Sequence, residues 1–275
     1  MPRVIRGSDI THRKLAWHPS EVRHKYGPGV HILSNPYAMS LLARLCSPDT
    51  VQPVVNEIVR RLYTDLLAHV VCAEFPRITA SIPTRMAHEG PEGVLRGEIV
   101  DPGARVVCVN IARAGTLPSQ TCFETLCYTM EPEAVRQDHV FMNRRTDERG
   151  RVIGVNFSGS KIGGPLDNAI VLVPDPMGAT GSSMLETVRE LTKHERPAKI
   201  LALHLIVTPE YIRAIRGSGL PISIWAIRLD RGMSSPAVLA TVPGTRWEKE
   251  RGLNAKHYII PGAGGLGELL NNAER

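Results

Sequence analysis

No stretch of this chain approaches the roughly 20 consecutive apolar residues that a bilayer-spanning helix requires, so no membrane partner is expected. The opening residues, Met1 to Asp9, lack the apolar core of a secretory signal, and a cytoplasmic location is expected. The five cysteines, at 46, 72, 108, 122 and 127, form no Cys-x-x-Cys pair, and their odd number argues against a disulfide framework. The ten histidines are scattered without ligand spacing, which leaves zinc little support. Aromatic residues make up only 5%, and no basic stretch is interleaved with them as a base-stacking surface would need. Nucleic acid is therefore not an expected partner. The net charge of +6 favours anionic ligands without fixing their size. What remains is ordinary for a globular protein: 43% hydrophobic and 22% charged residues, in a length of 275 that suits one large domain or a domain with an extension.

The chain is organised around residues 171–183, Val-Leu-Val-Pro-Asp-Pro-Met-Gly-Ala-Thr-Gly-Ser-Ser. An apolar run, Ala169 to Val173, has strand length, and Met184, Leu185, Val188 and Leu191 have helical spacing. Between them lie one carboxylate (Asp175), two glycines (Gly178, Gly181) and three hydroxyls (Thr180, Ser182, Ser183). A strand that feeds a small-residue turn and then a helix N-terminus is suited to anions, because first-turn N–H groups lack intrahelical partners and the helix dipole favours negative charge. Asp175 would repel a phosphate, so its role there is to accept hydrogen bonds from sugar hydroxyls. The turn reads as a sugar-phosphate site. The same Ser and Thr residues also suit a plain helix cap. A Walker loop is excluded because the turn has no lysine, and the Gly-x-Gly-x-x-Gly order of a dinucleotide fingerprint is missing.

Asp175-Pro-Met-Gly-Ala-Thr-Gly-Ser-Ser183 resembles the phosphoribosyl-diphosphate (PRPP) motif of uracil phosphoribosyltransferases, usually Asp-Pro-Met-Leu-Ala-Thr-Gly-Gly-Ser. Three further segments match in the family's order. Arg105 to Ala112 is a buried-strand candidate that leads into Arg113-Ala-Gly115, similar to the family's Ile-Leu-Arg-Ala-Gly segment, which holds diphosphate. A guanidinium with several donors beside a glycine that bares backbone amides is coherent chemistry for that task. Val140 to Phe157 reads as two strands around a polar turn at 146–150. It looks like the family's flexible hairpin and places Arg144 on its second diphosphate arginine. Finally, Leu229-Asp230 and Gly252-Leu-Asn-Ala-Lys-His-Tyr-Ile-Ile-Pro-Gly-Ala-Gly264 are similar to the segments that read uracil, so Ile259 and Gly264–Leu266 carry over as base-binding positions.

The resemblance runs from about residue 30 to the end and implies the type I phosphoribosyltransferase fold: α/β, a mostly parallel sheet flanked by helices with a small C-terminal hood. It implies transfer of 5-phosphoribose from PRPP to a ring nitrogen, with release of diphosphate. PRPP would be held by Arg113, Arg144, Asp175, Pro176, Met177, Gly178, Ala179, Thr180, Gly181, Ser182 and Ser183. Asp175, Arg113 and Arg144 would carry the catalysis, and Mg²⁺ would arrive on the diphosphate oxygens. Expected partners are PRPP, a nucleobase-like acceptor and further copies of the chain in a homo-oligomer.

Two departures matter. Where the family continues Gly-Asp-Ala-Gly-Asp, this chain has Gly264-Gly-Leu-Gly-Glu268, so Gly265 replaces an aspartate that lies between base and PRPP. Residues 232–249 look like an insertion before the base loop (257–269), suited to cover the site, to build a subunit contact, or to do neither. Residues 1–28, polar and basic, read as an extension of the 29–275 domain, either a disordered tail or an arm that crosses to another subunit.

The rest follows helix and strand periodicity. Pro36–Leu45 is helical, and Asp49-Thr50 offers a cap for a second helix from Val54. Strands are expected at 78–83, 97–100, 199–207 and 222–227, and a helix from Pro209. Apolar strands alternating with helices argue for a parallel sheet covered on both faces, with ligands beyond the strand carboxyl ends.

Overall fold

A computed structural model describes residues 9–146 and 152–273, including all of their side chains except those of 143–146 and 152–156. In chain order the elements are β1 (Val30–Ile32), α1 (Pro36–Leu45), α2 (Val54–Glu74), β2 (Arg77–Pro83), β3 (Val94–Val100), β4 (Val106–Ala112), α3 (Thr116–Leu126), β5 (Val135–Thr146), β6 (Val152–Lys161), β7 (Ile170–Pro174), β8 (Met177–Gly178), α4 (Ser182–Leu191), β9 (Lys199–Val207), α5 (Pro209–Gly217), β10 (Ile222–Leu229), α6 (Pro236–Leu239) and α7 (Leu266–Leu269).

Strand β7 is buried along its whole length because helices cover both faces of its sheet. Its side chains alternate. Ile170 and Leu172 pack with Leu62 and Leu66 of α2 and Leu126 of α3. Val171 and Val173 pack with Met184 and Val188 of α4 and Ile212 and Ile215 of α5. The sheet order is β1-β10-β9-β7-β4-β5-β6, with β8 against β9. Every pairing is parallel except β5 with β6. The near-continuous apolar character of β4, β7 and β9 follows from burial on two sides. β2 and β3 form a separate antiparallel hairpin.

One expectation needs correction. Asp49-Thr50 does not cap α2: the N-cap is Pro53, without a side-chain cap bond. The Thr50 hydroxyl donates instead to the Arg44 carbonyl at 2.6 Å, one of the α1 terminal groups that has no partner within the helix. The described part of the arm lies along its own chain. Glu98 donates its N–H to the His12 carbonyl at 2.8 Å, and the Leu15 N–H donates to Glu98 Oε2 at 2.8 Å. The Val22 N–H donates to the Ile32 carbonyl, and Tyr26 is buried in the core beneath α5.

The 232–249 segment packs on the arm and on α5. Lys25 donates its N–H to the Pro243 carbonyl at 2.8 Å, and Trp247 Nε1 donates to the Pro209 carbonyl at 3.2 Å. These contacts meet at Glu250, which is fully buried. Its carboxylate accepts from the Tyr26 hydroxyl, from Arg231 at 3.0 Å and from the Gly244 N–H at 2.8 Å. Burial, followed by the bond to Glu250, pushes the Tyr26 hydroxyl pKa upward, so the phenol stays the donor.

Candidate active site

The carboxyl ends of β4 and β7 open onto one crevice of about 930 Å³. Arg113, Asp175, Met177, Ala179, Thr180, Gly181, Ser182 and Ser183 line it, as do Ile259, Gly264, Gly265 and Leu266 from the C-terminal hood. The two strand-to-helix turns and the base loop, which are 60 residues or more apart in sequence, therefore converge. Pro176 and Gly178 do not share that wall. The Pro176 carbonyl accepts from Leu205 and Ile206, and a Cβ on Gly178 would lie 2.9 Å from Val207 Cγ1 and 3.1 Å from the Tyr211 ring. Both face the sheet, because the turn keeps strand register with β9: Pro174 pairs with Leu203 and Met177 with Ile206. Arg144 lies on β5 opposite Val155, and its side chain is outside the described residues.

Close packing sets the first turn. The Ala112–Arg113 peptide is cis. A Cβ on Gly115 would meet Ile111 backbone atoms at 2.9 Å and the Pro174 carbonyl at 3.0 Å, so only glycine lets the Arg113 turn sit against the Asp175 turn. In the second turn, Gly181 takes φ +87° at the N-cap of α4. This left-handed conformation suits glycine and turns the first-turn amides of α4 toward the crevice end.

Beneath the second turn lies a buried polar network. The Asp175 N–H donates to the Leu203 carbonyl at 3.0 Å, and the Met177 N–H donates to Asp175 Oδ1 at 3.3 Å. His204, fully buried, makes a 2.5 Å bond from Nδ1 to the Asp175 carbonyl and a 2.6 Å bond from Nε2 to the Tyr211 hydroxyl. A carbonyl only accepts, so Nδ1 carries the proton and Nε2 accepts from Tyr211. Burial lowers the His204 pKa to about 4, with the bond to the Asp175 carbonyl opposing, so the imidazole is neutral. Burial, followed by the Asp175 charge, raises the Tyr211 pKa. The Thr208 hydroxyl caps α5 by accepting from the Tyr211 N–H at 3.0 Å, and it donates to the Ala179 carbonyl at 2.7 Å.

The hood is held by two carboxylates. Asp230 forms a two-pronged pair with Arg228 at 2.6 and 2.7 Å and accepts from the Gly262 N–H at 2.8 Å. Arg228 also donates to the Gly262 carbonyl at 3.0 Å. Glu210, in the first turn of α5, accepts from the Gly252 and Leu253 N–H groups.

With this geometry in place, sequence comparison identifies the family. The profile described as uracil phosphoribosyltransferase matches residues 32–246. The chain belongs to the uracil phosphoribosyltransferase family. It is 31% identical over 98 residues to the uracil phosphoribosyltransferase of Thermococcus sibiricus, a match spanning 36% of this chain and 34% of that protein's length. It is 25% identical over 245 residues to that of Variovorax paradoxus, covering 88% of this chain and 97% of that protein. A solved structure from Aquifex aeolicus superposes with a TM-score of 0.66 at 21% identity, covering 88% of this chain and 97% of the other. The fold is the type I phosphoribosyltransferase fold expected from the sequence.

Sequence reasoning missed several residues that shape the crevice. His204 and Tyr211 support the Asp175 turn from below, Glu210 and Arg228 hold the hood, and Glu268 lines the crevice wall. Thr208 had a legible signal, a hydroxyl directly before Pro209 at the first position of a helix. His204, one polar residue in an otherwise apolar strand, also marked a buried polar contact.

Proposed function

We propose that the chain transfers 5-phosphoribose from PRPP to a ring nitrogen of uracil or a uracil-like heterocycle and releases diphosphate. The convergence of Arg113 and Asp175 on one crevice carries this reading. The C1′–O bond to diphosphate breaks, a C1′–N bond forms, and the ring N–H proton leaves to solvent. Asp175 accepts hydrogen bonds from the ribose hydroxyls. The 179–183 turn at the α4 N-terminus holds the 5-phosphate. Arg113, with Arg144, offsets charge developing on diphosphate. Catalysis is mainly positioning and electrostatics, because little proton transfer is required.

Among the described residues, no three or more His, Cys, Asp or Glu side chains gather into a preformed cage. Mg²⁺ commonly keeps several waters and binds through substrate phosphates with one or two carboxylates. That habit fits a crevice with Asp175 on its wall, so the ion would travel with PRPP and neutralise its diphosphate. The functional unit is proposed to be a homo-oligomer working in the cytoplasm, with 29–275 as the catalytic domain.

A second reading has its own motivation: the same chemistry on another acceptor, because Gly265 removes a carboxylate from the base loop and sites that hydrogen-bond a substrate discriminate strongly. A screen of heterocycles with PRPP and Mg²⁺, read out as diphosphate, separates the two. Uracil used best supports the first reading, and another base used best supports the second. Failure to release diphosphate with any acceptor refutes both and leaves a non-catalytic nucleotide-binding homologue.

A further inference from the structure

The hood carries one carboxylate with nothing to hold. Asp230 is paired with Arg228, and Glu210 and Glu250 each accept several hydrogen bonds. Glu268, half-buried on the crevice wall in the first turn of α7, has no partner for its carboxylate among the described residues. A Cβ built on Gly265 would lie 2.6 Å from Glu268 Oε2. Gly265 itself has φ −80°, a conformation open to any residue, so the backbone does not demand glycine there. The Glu268 carboxylate, the far end of a flexible side chain, occupies the volume that a side chain at 265 would fill.

The location is defined from the other side as well. A Cβ on Gly267 would lie 3.3 Å from Ala114 Cβ, which seats α7 directly against the Arg113–Gly115 turn. Glu268 thus stands where the base loop meets the proposed diphosphate turn. An ionised carboxylate only accepts hydrogen bonds. It repels a polyanion such as PRPP and invites a neutral ring that presents N–H. Ile259 and Leu266, both buried in the core, back the same wall with apolar side chains.

We infer that Glu268 is the acceptor-reading residue: its carboxylate accepts a hydrogen bond from a ring N–H of the incoming heterocycle, in the place left open by Gly265. The acceptor class is a planar heterocycle with a ring N–H donor. This rests on the phosphoribosyl-transfer reading above.

The test uses the full chain, uracil as probe and isothermal titration of PRPP alongside steady-state kinetics. Glu268→Ala should lower kcat/KM for uracil roughly 10- to 100-fold, the loss of one hydrogen bond to a charged group. Its PRPP affinity should stay within about twofold of the parent, because the affected contact is to the acceptor. Supplying the carboxylate from the neighbouring position instead, in Gly265→Asp with Glu268→Ala, should recover about tenfold of that loss; thermal melts of both variants control for folding. Parental kcat/KM in Glu268→Ala, or a double variant no better than the single, overturns the inference. So does a parent protein that binds PRPP yet transfers to no N–H heterocycle. A parent that fails to bind PRPP overturns the underlying reading instead.

Discussion

The His204 imidazole donates through Nδ1 to the backbone carbonyl of Asp175 at 2.5 Å, while its other nitrogen takes the Tyr211 hydroxyl. Protonating Nε2 would remove that acceptor and place a charge in a fully buried site. The folded pKa of about 4 lies below the ordinary 6.5, so the unfolded chain binds the proton more readily. His204 therefore contributes full stability above pH 6.5, and that contribution declines as pH falls toward 4, by roughly 3 kcal/mol in all. Urea unfolding at pH 7, 5 and 4 should show a steeper loss in the parent than in His204→Gln. Parallel pH dependences would contradict the buried neutral tautomer.

Asp175→Asn and Arg113→Ala should each reduce turnover roughly 10² to 10³-fold, the range for losing one preorganised electrostatic partner. Arg113 is exposed on the crevice wall and Asp175 half-buried, so neither change should unfold the protein. Diphosphate release and circular dichroism measured on the same samples check both halves. Undiminished turnover in either variant removes its assigned role.

Gly115→Ala tests the packing of the two turns. The added methyl would meet three backbone atoms at 2.9–3.0 Å, and backbone moves less readily than a side-chain end. Overpacking of this kind costs about 1–3 kcal/mol. A thermal melt should register that cost, and weakened PRPP binding should accompany it as Arg113 is pushed from Asp175. An unchanged melting temperature would mean the turns are not in contact.

Arg228→Leu leaves Asp230, which is 2% exposed, without its cation. Breaking a buried pair by removing one partner costs about 3–5 kcal/mol. Because both residues hold Gly262, the KM for the acceptor should rise more than that for PRPP. Chemical denaturation and two-substrate kinetics measure the two effects, and equal changes in both KM values would speak against a hood-specific clamp.

The sequence made β4, β7 and β9 legible because strands buried on two faces leave apolar runs with few alternatives, and 199–207 matches its strand from end to end. The convergence of Arg113 with Asp175 was also legible, since parallel strands send their following turns to one edge of the sheet. The path of the arm was not. Its partners, such as Glu98 and Ile32, are chosen by tertiary packing rather than by periodicity. The α2 cap was misread for a similar reason, because Thr50 had a better acceptor in Arg44. The contact of Glu268 with the space at Gly265 was not legible, because it depends on how the last short helix seats against Ala114.

The Tyr26–Glu250–Arg231 junction makes the leading arm and the late insertion one mechanical unit. Two segments far apart in the sequence are a lock and its bolt. Trimming the N-terminus past Tyr26 should loosen a stretch more than 200 positions downstream, and a shortened variant would have to lose both pieces together.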